Sequence, residues 1–237
     1  LSIFPASILN SCAKNARRLF SQSCALCGDY AGAEQLCAPC RTALPYHAAA
    51  SCPICALPTA GGETCGSCLK KPPAFDRTLA AFSYLFPVDA VIHSYKYAGN
   101  LSLLDLLAQP LIDLAMAHKK PDLLIPMPLH PARLKERGFN QALEIAKRVS
   151  SQLAIPLNAR ACRRILDTPP QATLKLKERA GNLRGAFSCD IDLSGKHVAL
   201  IDDVMTTGAS LDELGKAVRA KGAAHVSAWV TARTLPH

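Results

Sequence analysis

The stretch VALIDDVMTTGAS, residues 198–210, decides how the rest of the chain reads. An apolar run ends in two adjacent carboxylates, Asp202 and Asp203, followed by threonines, a glycine and a serine. A strand that only fills a core has no use for paired acids at its end. With VALI as a central strand and ASLDELGKAV as the next helix, DDVMTTG becomes a loop ending at a helix N-terminus. Amides at that point lack intrahelical partners and carry positive dipole character, so they suit a phosphate dianion. Thr206, Thr207 and Ser210 add hydroxyl donors, and Gly208 lets the backbone come close. The paired aspartates repel phosphate but accept well from vicinal hydroxyls. Phosphate on one side and a diol on the other describes a ribose 5-phosphate. The plainer alternative is that the hydroxyls cap the helix and the carboxylates solvate a strand end.

Around this stretch the pattern alternates. Residues 79–86 read as a strand, and Val88, Val91, Ile92 and Tyr95 have helical spacing. Residues 101–117 are helical on both sides of Pro110, and LLIPMP at 123–128 is a buried strand stopped by proline. Ala142, Ile145, Ala146, Val149 and Leu153 line one helix face; 209–221 is a helix and VSAWVTA at 226–232 a last strand. Strands alternating with helices predict an α/β fold, a mostly parallel sheet flanked by helices, with ligands at the carboxyl ends of strands.

The first 68 residues are different. Eight cysteines form the pairs CALC (24–27), CAPC (37–40), CPIC (52–55) and CGSC (65–68), and the second half repeats the first at a period of 28. Each half reads C-x2-C-x9-C-x2-C, a spacing that lets paired thiolates reach one tetrahedral ion. Two structural zinc ions are expected, on Cys24, Cys27, Cys37, Cys40, Cys52, Cys55, Cys65 and Cys68. Sequential pairing (24/27/37/40, then 52/55/65/68) is the favoured arrangement, with a cross-braced one (24/27/52/55 and 37/40/65/68) left open. Full cysteine occupancy leaves no open position, so these ions staple structure. Cys12, Cys162 and Cys189 lack partner spacing and read as buried thiols. KKPPAF at 70–75 marks a boundary: a small Cys-rich zinc-ribbon domain over 1–70, with an N-terminal helix, then the α/β domain over 71–237.

A formal charge of +9 on 237 residues is unevenly spread, with a net +8 in residues 133–184 alone. Such clustering suits polyanionic partners, phosphates or nucleic acid, although a solvated basic face reads the same way. At 49% hydrophobic and 19% charged the chain is globular, not disordered. In the opening segment Leu9, Cys12, Ala16, Leu19 and Phe20 share a helical face, and the positive residues follow the apolar part, the reverse of a secretory signal. No run is long enough to cross a bilayer, so a cytoplasmic protein is expected, with membrane association only through partners.

VALIDDVMTTGAS resembles the phosphoribosyl pyrophosphate (PRPP) motif of type I phosphoribosyltransferases. Together with the cysteine-rich N-terminus, LHPARLKERGFNQA (129–142), SYKYAGN (94–100) and TPPQATLKLKERAGNLRGAF (168–187), it resembles the ComF family, ComFC and GntX-like proteins. That resemblance implies that Asp202 and Asp203 bind ribose hydroxyls and that Thr206, Thr207, Gly208, Ala209 and Ser210 bind the 5-phosphate. It also implies a role in natural transformation, handling incoming single-stranded DNA alongside a DNA helicase of the competence machinery.

Transfer from PRPP needs the departing pyrophosphate neutralised, usually by Mg²⁺ plus Lys or Arg. Arg133, Lys135 and Arg137, read as a loop just after a strand end, suit a pyrophosphate clamp, with Lys96 a second candidate. Residues 165–185, with Lys175, Lys177, Arg179 and Arg184, are placed to close over PRPP or equally to bind a nucleic-acid backbone. Aromatic content of 5% leaves few stacking platforms, Tyr95, Tyr97 and Phe139 among them. His130, beside the clamp, is the histidine to examine. Two functions remain: a PRPP-binding protein of DNA uptake, or an active PRPP-dependent transferase of nucleotide metabolism with an unnamed acceptor.

Overall fold

A computed structural model of the chain describes residues 22–32, 34–166 and 184–235. The expected N-terminal helix, Cys12, Lys175, Lys177 and Arg179 lie outside the described residues. The chain forms two compact units, Leu1–Leu44 and Pro45–His237.

The two cysteine repeats are repeats in three dimensions as well. In the first, Ser23 bridges Tyr30, the Cys24 amide donates to the Asp29 carbonyl, and α1 (Ala38–Thr42) starts directly after Cys37. Shifted by 28 residues, Ser51 bridges Pro58, the Cys52 amide donates to the Leu57 carbonyl, and α2 (Gly66–Lys70) starts after Cys65. Each turn needs one left-handed residue: Gly28 at φ 76° in the first and Ala56 at φ 55° in the second. An alanine there costs roughly 1–2 kcal/mol of backbone strain. Ala56 is buried, which offsets part of that.

The second unit is built on four parallel strands in the order β1 (Arg77–Ser83), β6 (His225–Arg233), β5 (His197–Met205), β2 (Leu123–Pro126). The central strands β5 and β6 pair from His197↔His225 to Met205↔Arg233. Covered on both faces, they read as near-continuous apolar runs. Between β1 and β2 run α3 (Val88–Tyr97), a 3₁₀ turn (Leu101–Leu103) and α4 (Leu104–Met116), which continues through Pro110. Between β2 and β5 lie α5 (Pro131–Arg137), α6 (Gln141–Leu153) and the short antiparallel pair β3 (Cys162–Arg164) and β4 (Phe187–Cys189). The helix α7 (Ala209–Arg219) joins β5 to β6. Helices α4 and α6 pack on each other and on the sheet. Alternate residues Val198, Leu200, Val226, Ala228 and Val230 share a buried cluster with Leu211, Leu214 and Val218 of α7, and with Cys52, Cys55 and Phe75. Among the described residues no helix is long and apolar enough to cross a membrane.

Three elements depart from expectation. Strand β5 runs on through Asp202 and Asp203 to Met205, because β6 continues beside it to Arg233; the loop shrinks to Thr206–Gly208. Residues 131–137 are a helix, not a loop. His130 caps it, its Nδ1 accepting from the Ala132 amide at 3.4 Å, Pro131 occupies its first turn, and Gly138 ends it at φ 77°. The β3–β4 pair was not foreseen, since three residues per strand are too few for a periodic signal. It sets the buried Cys162 and Cys189 opposite each other.

Candidate functional site

The eight paired cysteines form two clusters, Cys24/Cys27/Cys37/Cys40 and Cys52/Cys55/Cys65/Cys68, with all sulfurs of a cluster within 4.8 Å of one another. That is the sequential arrangement, not the cross-braced one. Sulfur–sulfur distances of 3.7 Å (Cys27–Cys37) and 3.6 Å (Cys55–Cys65) match the edge of about 3.8 Å that a tetrahedron with Zn–S near 2.3 Å demands. The Cys65 amide points at Cys52 Sγ, 3.3 Å away. Burial pushes the Cys52 thiol up, but backbone amides of Cys65, Cys55 and Ile54 outweigh it and hold it at about 7. At Cys24 the same balance gives about 6. One thiol of each cluster is thus drawn toward the thiolate that a zinc ion requires, while Cys40 is pushed up by its hydrogen bonds with Cys27 and Cys37, and Cys68 by burial.

At the carboxyl end of β5 the chain turns over three residues into α7. Thr206 and Thr207 are exposed and Gly208 is buried at φ 81°. A Cβ on Gly208 would lie 2.7 Å from Met205 Cε. Thr207 Oγ1 accepts from the Ala209 amide at 3.3 Å, and no side chain of Gly208 exists to cap the helix. The first turn of α7, with part-exposed Ala209 and Ser210, thus presents its amide dipoles toward the loop.

Asp203 is 7% exposed, and its Oδ2 lies 2.9 Å from Lys96 Nζ. Each aspartate accepts the amide of the residue after it, Asp203 N–H to Asp202 at 2.9 Å and Val204 N–H to Asp203 at 2.6 Å. Burial alone pulls the Lys96 ammonium down, but attraction to Asp203 and then Asp202 carries it above its usual value. Asp202 is pushed up to about 8, first by burial and next by the charge of Asp203, with Lys96 opposing. A carboxyl that holds its proton more tightly when folded loses stability as pH climbs from about 4, its unfolded value, toward its folded one. Asn mimics the protonated form. Between pH 5 and pH 8 the Asp202→Asn chain should therefore gain stability relative to the wild type, read by denaturation of both at each pH. A difference that stays constant over that range would contradict the assignment.

Helix α3 spreads three successive side chains in three directions, as 100° per residue requires. Tyr95 is fully buried, donates its hydroxyl to the Gln141 carbonyl at 3.2 Å and meets Phe139 edge-on; it offers no platform to a base. Lys96 reaches Asp203. Tyr97 is exposed, with the Arg137 guanidinium 5.2 Å above its ring, and Arg137 also donates to Gln141 Oε1 at 3.2 Å. The two predicted clamp segments are thereby brought together at the ends of α3 and α5. Arg133 and Arg137, four residues apart, share a face of α5, while exposed Lys135 stands about 200° from Arg133.

One residue that holds the backbone of this junction escaped the sequence reading. Arg233, at the end of β6, is 3% exposed. It donates to the carbonyls of Met205 (3.0 Å), Thr206, Thr234 (2.7 Å) and Cys55 (2.8 Å). The only signal was an arginine ending an otherwise apolar strand, and nothing local says what it would touch.

Residues 16–69 match the double zinc ribbon domain and residues 140–235 the phosphoribosyl transferase domain. The chain is 30% identical over 207 residues to the DNA utilization protein YhgH of Salmonella typhimurium, covering 84% of this chain and 91% of that protein. It is 32% identical over 206 residues to competence protein F of Haemophilus influenzae, covering 83% and 84%. To competence protein ComFC of Bacillus subtilis it is 26% identical over 213 residues, 85% of each. Two four-cysteine zinc sites and a phosphoribosyltransferase-like parallel sheet are the parts of this molecule.

Proposed function

The chain belongs to the ComF family, and on that footing we propose that it binds PRPP and works in DNA uptake, handling incoming single-stranded DNA beside a helicase. Residues 1–70 are then the zinc-bearing part and 71–237 the PRPP-binding part. The observation that carries the PRPP reading is the junction of β5 and α7: paired carboxylates on a central strand, with a three-residue loop leading from the strand end into a helix whose N-cap residue, Gly208, has no side chain. The α7 amides with Thr206, Thr207 and Ser210 would hold the 5-phosphate, with Gly208 and Ala209 leaving room for it. Asp202 and Asp203 would accept from the ribose diol. Arg133 and Arg137 would face the pyrophosphate, and Lys96, already charged by Asp203, would stand between the two ends. Lys135 supplies further positive field on α5. Mg²⁺ suits hard oxygen donors of this kind and would neutralise pyrophosphate charge.

The basic surface supports the DNA reading through charge alone, since Tyr95 is buried and Tyr97 lies under Arg137. Calorimetric titration of PRPP with Mg²⁺ should show binding to the wild type, weakened about tenfold or more in Asp203→Asn as charge-assisted bonds to the diol are lost. Absence of heat in the wild type would remove the PRPP reading. Pyrophosphate release across a panel of bases and amines divides turnover from binding. Binding of single-stranded DNA should weaken with salt, and Arg133→Ala should reduce the slope by about 0.7, one phosphate contact; an unchanged slope would take α5 out of the DNA surface.

A further inference from the structure

Arg233 joins two regions that nothing in the sequence connects. Its guanidinium is buried, and among the described residues no carboxylate pairs with it. Its partners are backbone carbonyls at both ends of a short path: Met205 and Thr206, which lead into the β5–α7 loop, and Cys55, a ligand of the second four-cysteine site. A buried guanidinium left with fewer acceptors costs more than an exposed one, so this fork strongly favours one arrangement of the carbonyls it holds. Four thiolates around a divalent ion carry a net charge of about −2, which favours a cation beside them. The second repeat is fastened to the sheet independently as well, the Thr78 amide donating to the Pro53 carbonyl at 3.0 Å.

We propose that Arg233 is a positioning residue that makes the shape of the Thr206–Ser210 loop depend on zinc at Cys52/Cys55/Cys65/Cys68. Losing that ion frees the Cys55 carbonyl and removes the negative charge facing the guanidinium. The fork then loosens, and with it the carbonyls of Met205 and Thr206 that set the loop. The first site, Cys24/Cys27/Cys37/Cys40, belongs to the other compact unit and serves as the control. Where the loop binds PRPP, as the preceding reading holds, the two ligands are coupled. Zinc at the second site then raises PRPP affinity, and PRPP raises zinc affinity by the same factor.

The test is amide hydrogen exchange over residues 204–212 in the full chain, with zinc counted per molecule. Cys68→Ser, which disables the second site, should speed exchange there about tenfold or more. Cys40→Ser, which disables the first, should not. In an Arg233→Gln background, already fast, Cys68→Ser should add less than about threefold, and Arg233→Lys should fall between. Exchange over 204–212 that ignores Arg233→Gln, or responds equally to loss of either zinc, overturns the proposal. Should Arg233→Gln fail to fold, zinc titrated into Cys40→Ser, which loads only the second site, must still slow exchange over 204–212; loading without slowing overturns it. A wild type that shows this linkage but takes up no PRPP leaves the coupling standing and removes the phosphate reading. A wild type that binds PRPP with its loop indifferent to zinc does the reverse.

Discussion

Gly208→Val is expected to abolish measurable PRPP binding and to lower the unfolding free energy by roughly 2–4 kcal/mol. Two effects combine. A φ of 81° is left-handed backbone, where a β-branched residue is a genuine outlier. The new Cβ would also meet Met205 Cε at 2.7 Å and Phe75 Cζ at 3.8 Å. Met205 ends in a flexible methyl that can swing aside, so the backbone strain is the larger part. To relieve it the first turn of α7 must rotate, and the amides aimed at the phosphate turn with it. Gly208→Asn separates the causes, because asparagine tolerates left-handed backbone and brings only the contact with Met205. It should keep most of the stability that Gly208→Val loses. Denaturation curves and calorimetry on both variants read the outcome. Equal losses in the two would place the cost in the contact, not in the backbone.

Asp203→Ala should cost about 2 kcal/mol or more, because it takes from the Lys96 ammonium its hydrogen-bonded partner and leaves only Asp202 to balance it. The side chains are 18% and 10% exposed for Lys96 and Asp203, so water can replace little of what is lost. Removing Lys96 too, as Asp203→Ala with Lys96→Met, should recover part of the stability, since an apolar stem replaces a buried charge that has lost its hydrogen-bonded partner. The double-mutant cycle then gives a coupling energy of about 1–3 kcal/mol. Additive effects within about 0.5 kcal/mol would mean that the two groups do not meet in solution. The same pair explains how two acids can sit side by side at the end of a buried strand: Lys96 neutralises one, and burial keeps a proton on the other up to about pH 8. In the proposed complex a ribose diol would take over part of that work.

Much of this was legible from residue order. Metal spacing is local: two thiolates separated by two residues reach one ion from a single turn, so the cysteine repeat alone specifies both four-cysteine clusters. Apolar periodicity is also local, and it placed β2, β5, β6, α4, α6 and α7 within a few residues. Strand β5 was drawn too short because polar Asp202 and Asp203 look like a loop. Their pairing with β6 is a property of the neighbour. Helix α5 carried its own signal in His130, Pro131 and Gly138, a cap, a first-turn proline and a left-handed stop. That signal was outweighed by the basic residues between them.

The chain's order of residues by itself determined the zinc ligands, the parallel α/β plan and the strand–loop–helix that suits a sugar phosphate, because each depends on spacing within a few turns of backbone. Only the tertiary structure decided which charges meet. Lys96 and Asp203 are 107 positions apart, and Arg233 and Cys55 are 178 apart. No periodicity relates such residues. Their contacts arise from the order in which the strands lie side by side and from the way the second cysteine repeat packs against the sheet.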